Sequence, residues 1–158
     1  MRTPCTHAPP GWGTSPASTT VPAALAWTGT DTSLPENIDG LYFGGGYPEL
    51  HAAQLAANTG LRQAVKTASQ SGMPIYGECG GFMYLCAELV DGAGSAHPMT
   101  GCFPFKSRML GRLKSLGYRD ICLGRDSHLG PAGTCLRGHV FHETDTEIPE
   151  DWQGIYQV

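Results

Sequence analysis

The chain has 158 residues, 41% of them apolar and 15% charged, with a formal net charge of -4. That length fits one domain with a sizeable core, and the acidic balance gives no support for nucleic-acid binding. No apolar run is long enough to span a membrane, and Met1 to Thr20 hold a single arginine and no apolar stretch, so they are not a secretory signal.

Residues 1–20 are rich in Pro, Thr, Ser and Gly and read as a disordered or atypical arm. Residues 21–158 read as one domain. Val21 to Trp27 is a candidate strand and Thr30 to Asn37 a loop. Ile38 to Phe43 is a short strand that Gly44-Gly45-Gly46 ends, and Pro48 then suits a first helical turn. Leu50, Ala53, Gln54, Leu55 and Ala57 predict a helix over Glu49 to Asn58. Leu61, Val65 and Ala68 predict a second over Leu61 to Ser71, closed by Gly72. Pro74 to Gly77 is the next strand, and Gly80 to Val90 the helix after it. Short strands are expected at Thr100 to Phe105, Tyr118 to Leu123, residues 135–144 and Gly154 to Val158. Strands alternating with helices argue for an α/β fold with a parallel sheet, whose ligand site lies beyond the carboxyl ends of the strands. Both glycine clusters fall at such ends.

The stretch Pro74-Ile75-Tyr76-Gly77-Glu78-Cys79-Gly80-Gly81-Phe82-Met83 carries the chemistry. A strand, a cysteine between glycines and a helix start are the layout of a nucleophile elbow. The turn lifts the sulfur out of the sheet and points the helix N-terminus at it, which favours the thiolate. Gly44-Gly45-Gly46-Tyr47 and Gly80 can offer unobstructed amides to an oxyanion. A base is needed, and there are six histidines. His139 and His142 lie three apart on one late strand, so only one of them can point at Cys79. That spacing also argues against a metal pair, and no C-x-x-C supports zinc. No G-x-x-x-x-G-K-[ST] phosphate loop occurs. The six cysteines, Cys5, Cys79, Cys86, Cys102, Cys122 and Cys135, are irregularly spaced. They predict no disulfide framework and a reducing, cytoplasmic setting. Glu78 either supports the elbow through backbone hydrogen bonds or faces solvent. The basic stretch Lys106 to Arg119 either faces an acidic partner or is a solvated surface.

Gly40 to Glu49, Pro74 to Leu85 and Leu136-Arg137-Gly138-His139-Val140-Phe141-His142 together resemble the glutaminase domain of the cobyrinic acid a,c-diamide synthase family. Met99-Thr100-Gly101, Leu116 to Arg119 and Leu129 to Thr134 extend the likeness, which runs from about Leu34 to Val158. The resemblance implies a class I glutamine amidotransferase fold: a flavodoxin-like, three-layer α/β sandwich with a mostly parallel sheet. It implies that Cys79 attacks glutamine, that Gly45, Gly46 and Gly80 hold the oxyanion, and that His142 rather than His139 is base and then acid. Class I enzymes generally place glutamate two residues after that histidine. Here the place is taken by Thr144, a possible orienting residue. No cofactor is expected on this chain. ATP and Mg²⁺ are expected in a synthetase domain or subunit supplied from elsewhere, which would amidate a corrin-type tetrapyrrole: cobyrinate, hydrogenobyrinate or a nickel sirohydrochlorin. The family pattern is incomplete at both ends. An inactive or regulatory remnant docking on a synthetase subunit is the alternative, and an unrelated cysteine hydrolase a third reading.

Overall fold

The computed structural model describes residues 32–127, 129–150, 152 and 154–157. The predicted arm over 1–20, the strand over Val21 to Trp27, His7 and His128 lie outside them. Strand β1 (Leu41–Phe43) runs parallel to β2 (Ile75–Gly77), with Tyr42 opposite Tyr76 and Phe43 opposite Gly77. Alternation along each strand sends Leu41, Phe43 and Ile75 toward the core and leaves the two tyrosines exposed. Between the strands, a 3₁₀ turn over Pro48–His51 leads into α1 (Ala52–Ala57). Then comes α2 (Thr59–Gln70), capped by the Asn58 side chain, which accepts from the Leu61 amide at 3.1 Å. Leu61 and Val65, one helical turn apart, are buried, and Gly72 follows the helix at φ 85°. The single helix expected over Glu49 to Asn58 is thus split. Leu50 falls in its 3₁₀ part and is exposed, while Ala52 and Leu55 supply the buried face.

Helix α3 (Gly80–Leu85) is shorter than the expected Gly80 to Val90. Cys86 is extended, and Glu88–Val90 form strand β3. A short apolar run fits either period, and here sheet pairing decides. The strand β3 makes a hairpin with β4 (Ala96–Pro98) and runs parallel to β5 (Lys106–Met109), which pairs antiparallel with β8 (Thr144–Glu147). The expected strand over Thr100 to Phe105 is irregular chain, and the strand begins at Lys106. A third sheet orders β7 (Cys135–His142), β6 (Ser115–Leu123) and β9 (Tyr156–Gln157), all antiparallel. The described strands therefore pair in both senses. The parallel pair β1–β2 encloses α1 and α2, whereas the parallel pair β3–β5 is joined through β4 and irregular chain without a helix. The other pairings are antiparallel and are joined by loops or cross between distant segments.

The core lies under β1 and β2. Phe43, Leu55, Leu61, Val65, Leu85 and Leu89 meet there. Glycine sets how closely α3 approaches the sheet. A methyl group on Gly77 would sit 2.8 Å from Leu85 Cδ1 and 3.0 Å from the Gly81 carbonyl carbon. A methyl on Gly81 would run into the carbonyl oxygen of Phe43.

One expectation fails here. Cys122 and Cys135 are directly opposed in the β6–β7 ladder, with Cα atoms 4.3 Å apart, and form a disulfide. Irregular spacing along the chain hides a pairing that strand register creates, because opposed residues in antiparallel strands come within disulfide reach.

Two outcomes are expected from this packing. Gly81→Ala should destabilise the domain by about 3 kcal/mol or more, since its methyl meets fixed backbone rather than a movable side chain; urea unfolding measures it, and an unchanged midpoint would contradict the close approach. Reduction should lower stability by about 2 kcal/mol, and the Cys122→Ser/Cys135→Ser variant should lose all dependence on reductant.

Candidate active site

The end of β2 delivers Cys79 into an unusual backbone state, φ 49° and ψ -114°. A β-carbon in this region is crowded by its own backbone, and such residues cost about 1–3 kcal/mol. Surroundings without side chains make the bend possible. A methyl on Gly80 would strike the Gly46 carbonyl oxygen. At Gly45, a methyl would lie 3.7 Å from Cys79 Cβ. The loop after β1 is thereby laid against the elbow after β2, as their parallel pairing requires. Cys79, Gly45, Gly46 and Gly80 come together at one edge. Among the described residues, the amides of Gly45, Gly46 and Gly80 take part in no hydrogen bond. Gly45 is exposed, Gly46 half-buried and Gly80 buried.

The free cysteines differ in kind. Cys86 is buried, its Sγ lies 3.3 Å from the Phe82 carbonyl oxygen, and burial pushes its thiol up to about 12. Cys102 is half-buried beside Thr100, whose hydroxyl donates to its sulfur at 3.3 Å. Cys79 is exposed. Its Sγ points to the carbonyl oxygen of Phe141 at 4.0 Å.

That contact links the elbow to the far end of the chain. Phe141 immediately precedes His142, the last residue of β7. At His142 the chain turns out of one sheet, passes Glu143 and enters β8 at Thr144. Two bonds hold this corner. The Leu110 amide donates to the Glu143 carbonyl and the Lys114 amide to the His142 carbonyl, each at 2.9 Å. His142 is half-buried. Its Nδ1 lies 2.9 Å from the carbonyl oxygen of Thr144. A carbonyl can only accept, so Nδ1 carries the proton and Nε2 of the neutral ring is the acceptor. Thr144 therefore meets the imidazole through its backbone carbonyl rather than its side chain. Glu143 is exposed in the bend. His139 lies on the opposite face, its ring 5.2 Å from that of Tyr118. His51 is exposed, and His97 pairs with Asp91 at 2.8 Å.

Glu78 does more than face solvent. Its carboxylate accepts from Tyr42 and Tyr76 hydroxyls at 2.9 and 3.1 Å. The signal was present in Tyr76-Gly77-Glu78, whose alternation puts Tyr76 and Glu78 on one strand face, but Tyr42 joins them only through register. The basic stretch is partly spent internally. Lys106 pairs with Glu88 at 2.7 Å, Lys114 with Asp145, and Arg119 donates to the Tyr118 carbonyl at 3.0 Å. Arg108 and Arg112 are exposed. Among the described residues no group of three or more His, Cys, Asp or Glu side chains is placed to hold a metal ion. No helix of the described residues is long and apolar enough to cross a membrane.

Known proteins share this organisation. The model of the CobB/CobQ-like glutamine amidotransferase domain matches residues 22–158. A cobyrinate a,c-diamide synthase of Syntrophotalea carbinolica is 45% identical over 131 residues, covering 81% of this chain and 28% of that protein. One from Streptococcus sanguinis is 48% identical, covering 77% of this chain and 26% of that protein. A hydrogenobyrinate a,c-diamide synthase of Streptomyces coelicolor is 49% identical, covering 74% and 23%. The chain thus spans about a quarter of the length of these relatives. A crystal structure of a glutamine amidotransferase superposes with a TM-score of 0.52 at 20% identity, covering 78% of this chain and 62% of that one. This last likeness shows the fold, α/β and of the flavodoxin-like amidotransferase kind. With most of its length inside the family model, the chain belongs to the CobB/CobQ-like glutamine amidotransferase family.

Proposed function

We propose that this chain is the glutaminase part of an ATP-dependent a,c-diamide synthase of corrin biosynthesis. The observation that carries the reading is Cys79. It is an exposed thiol held in a strained elbow, beside the strand end that bears His142 and against a loop whose Gly45 and Gly46 amides have no hydrogen-bond partner among the described residues. Relatives named for a,c-diamide synthesis supply the substrate class.

In this reading His142 Nε2 takes the thiol proton, while the Thr144 carbonyl fixes the tautomer through Nδ1. The Cys79 sulfur attacks the side-chain carboxamide carbon of glutamine. The resulting oxyanion is met by amides from Gly45, Gly46 and Gly80, which have no competing hydrogen-bond partner among the described residues. The imidazolium then gives its proton to the departing nitrogen, and ammonia leaves a thioester on Cys79. Water, activated by the same ring, hydrolyses the thioester to glutamate. The sum is glutamine plus water to glutamate plus ammonia. A synthetase partner, which binds ATP and Mg²⁺, uses the ammonia to amidate carboxylates of the macrocycle. Glutamine and ATP are intracellular pools, which supports a cytoplasmic location; the Cys122–Cys135 disulfide, which a reducing compartment disfavours, is the observation against it.

Glutamate release, measured with and without the synthetase partner, tests this. Cys79→Ala should abolish turnover, and His142→Ala should lower kcat by about 10²–10⁴. Equal rates in wild type and Cys79→Ala would end the proposal. Replacing Gly46 by proline, which removes its N–H, should lower kcat by about 10²–10³ with a smaller change in KM, because the lost donor serves the oxyanion. Loss confined to KM would remove Gly46 from that role.

A further inference from the structure

A cysteine at positive φ stays there only if its neighbours hold it. On the helix side, the Met83 amide donates to the Cys79 carbonyl at 3.1 Å. On the strand side the anchor is residue 78. Its amide donates to the Phe43 carbonyl at 2.9 Å and its carbonyl accepts from the Gly81 amide at 2.8 Å. Its side chain is held too. One carboxylate oxygen accepts from Tyr42 on β1 and the other from Tyr76 on β2. Those tyrosines are register partners, and their rings stack with centroids 5.9 Å apart and planes 10° from parallel. The stack presents two hydroxyls side by side, matching the two oxygens of one carboxylate. The hydrogen bond to Glu78 also holds the Tyr42 phenol above its usual range, so it remains a donor.

We propose that Glu78, clamped by Tyr42 and Tyr76, is a positioning residue for Cys79: the clamp fixes the end of β2 so that the next residue keeps its strained conformation and its sulfur stays aimed at the site. This deepens the glutaminase reading and rests on it for its consequence in turnover. All three side chains are substantially exposed, with Tyr42 at 57% and Tyr76 at 40%. Any one hydroxyl bond therefore contributes little to global stability. Its effect falls on the one residue whose backbone is poised to relax. Freed, Cys79 would slide toward an ordinary φ, and the sulfur would leave the Gly45 side. The clamp works by shape and hydrogen bonding rather than by charge. Glutamine at position 78 can still accept from one hydroxyl and donate to the oxygen of the other, whereas alanine can do neither.

The test reads Cys79 itself. Iodoacetamide labelling, followed by mass mapping of the Cys79 peptide, gives the thiol's reactivity without any need for glutaminase turnover. Tyr42→Phe, Tyr76→Phe and Glu78→Ala should each slow labelling by about three- to ten-fold, with the double tyrosine variant slower still, and Glu78→Gln should retain at least half the wild-type rate. Where glutamate release is measurable, kcat should fall in parallel and KM for glutamine should move less than about two-fold. Unchanged labelling in Glu78→Ala and in both tyrosine variants would overturn the clamp. So would faster labelling in Glu78→Gln, which would mean that the carboxylate acts through its charge. If wild type releases no glutamate but labelling follows the expected order, the clamp stands and the glutaminase reading falls.

Discussion

Everything at this site depends on one close approach: the backbone of the Cys79 elbow lying directly on the backbone of the loop after β1. The sheet pairs β1 and β2 in parallel, so the ends of both strands emerge at one edge. For the chain to turn there and start a helix at once, residues 77, 80 and 81 must carry no side chain. The same condition leaves the amides of Gly45, Gly46 and Gly80 without a hydrogen-bond partner among the described residues. Tight packing and unpaired donors are thus one feature with two effects. A bulkier elbow would part the loops and remove the donors together.

His142 is placed by the antiparallel half. The β6–β7 ladder is the longest in the structure and ends at His142, where the chain crosses from one sheet to another. A residue at such a corner is fixed from both sides. Here β7 precedes it, β8 follows it, and the loop from Leu110 to Lys114 closes over it with two backbone bonds. The disulfide sits at the opposite end of the same hairpin. It secures the ladder far from the thiol that the proposed reaction uses, and the two kinds of cysteine are kept apart by the length of a strand.

What could be read in advance follows from what is local. The elbow, the glycine loop and both helices before β2 are set by neighbours within a few residues, and they stand close to where the sequence puts them. Leu89 and Val90 show the limit. Their spacing from Phe82, Leu85 and Cys86 fits a helix, yet both are buried in β3, because pairing with β4 and β5 outweighs a short run's own preference. Register is equally invisible along the chain. It makes a disulfide of Cys122 and Cys135, and it sets Tyr42 beside Tyr76 above Glu78. The choice of His142 over His139 came from family likeness; alternation alone left the two equivalent.

The residue after next, Thr144, changes how the imidazole is held. A carboxylate at that place would do two things for a catalytic histidine: fix its tautomer and stabilise the imidazolium. The Thr144 carbonyl does the first. It is a neutral dipole, and it does little of the second. The nearest acid on β8 is Asp145, whose carboxyl is held below the usual range chiefly by its hydrogen bond to Lys114, with His142 adding a smaller push in the same direction. Asp145 is therefore ionised at neutral pH, but its charge is already shared with an ammonium. In the proposed cycle the imidazolium would form with little compensation, so proton transfer from the thiol is the step with least help from fixed charge. The load then shifts to geometry: how well Cys79 is aimed, and how the amides around it are presented.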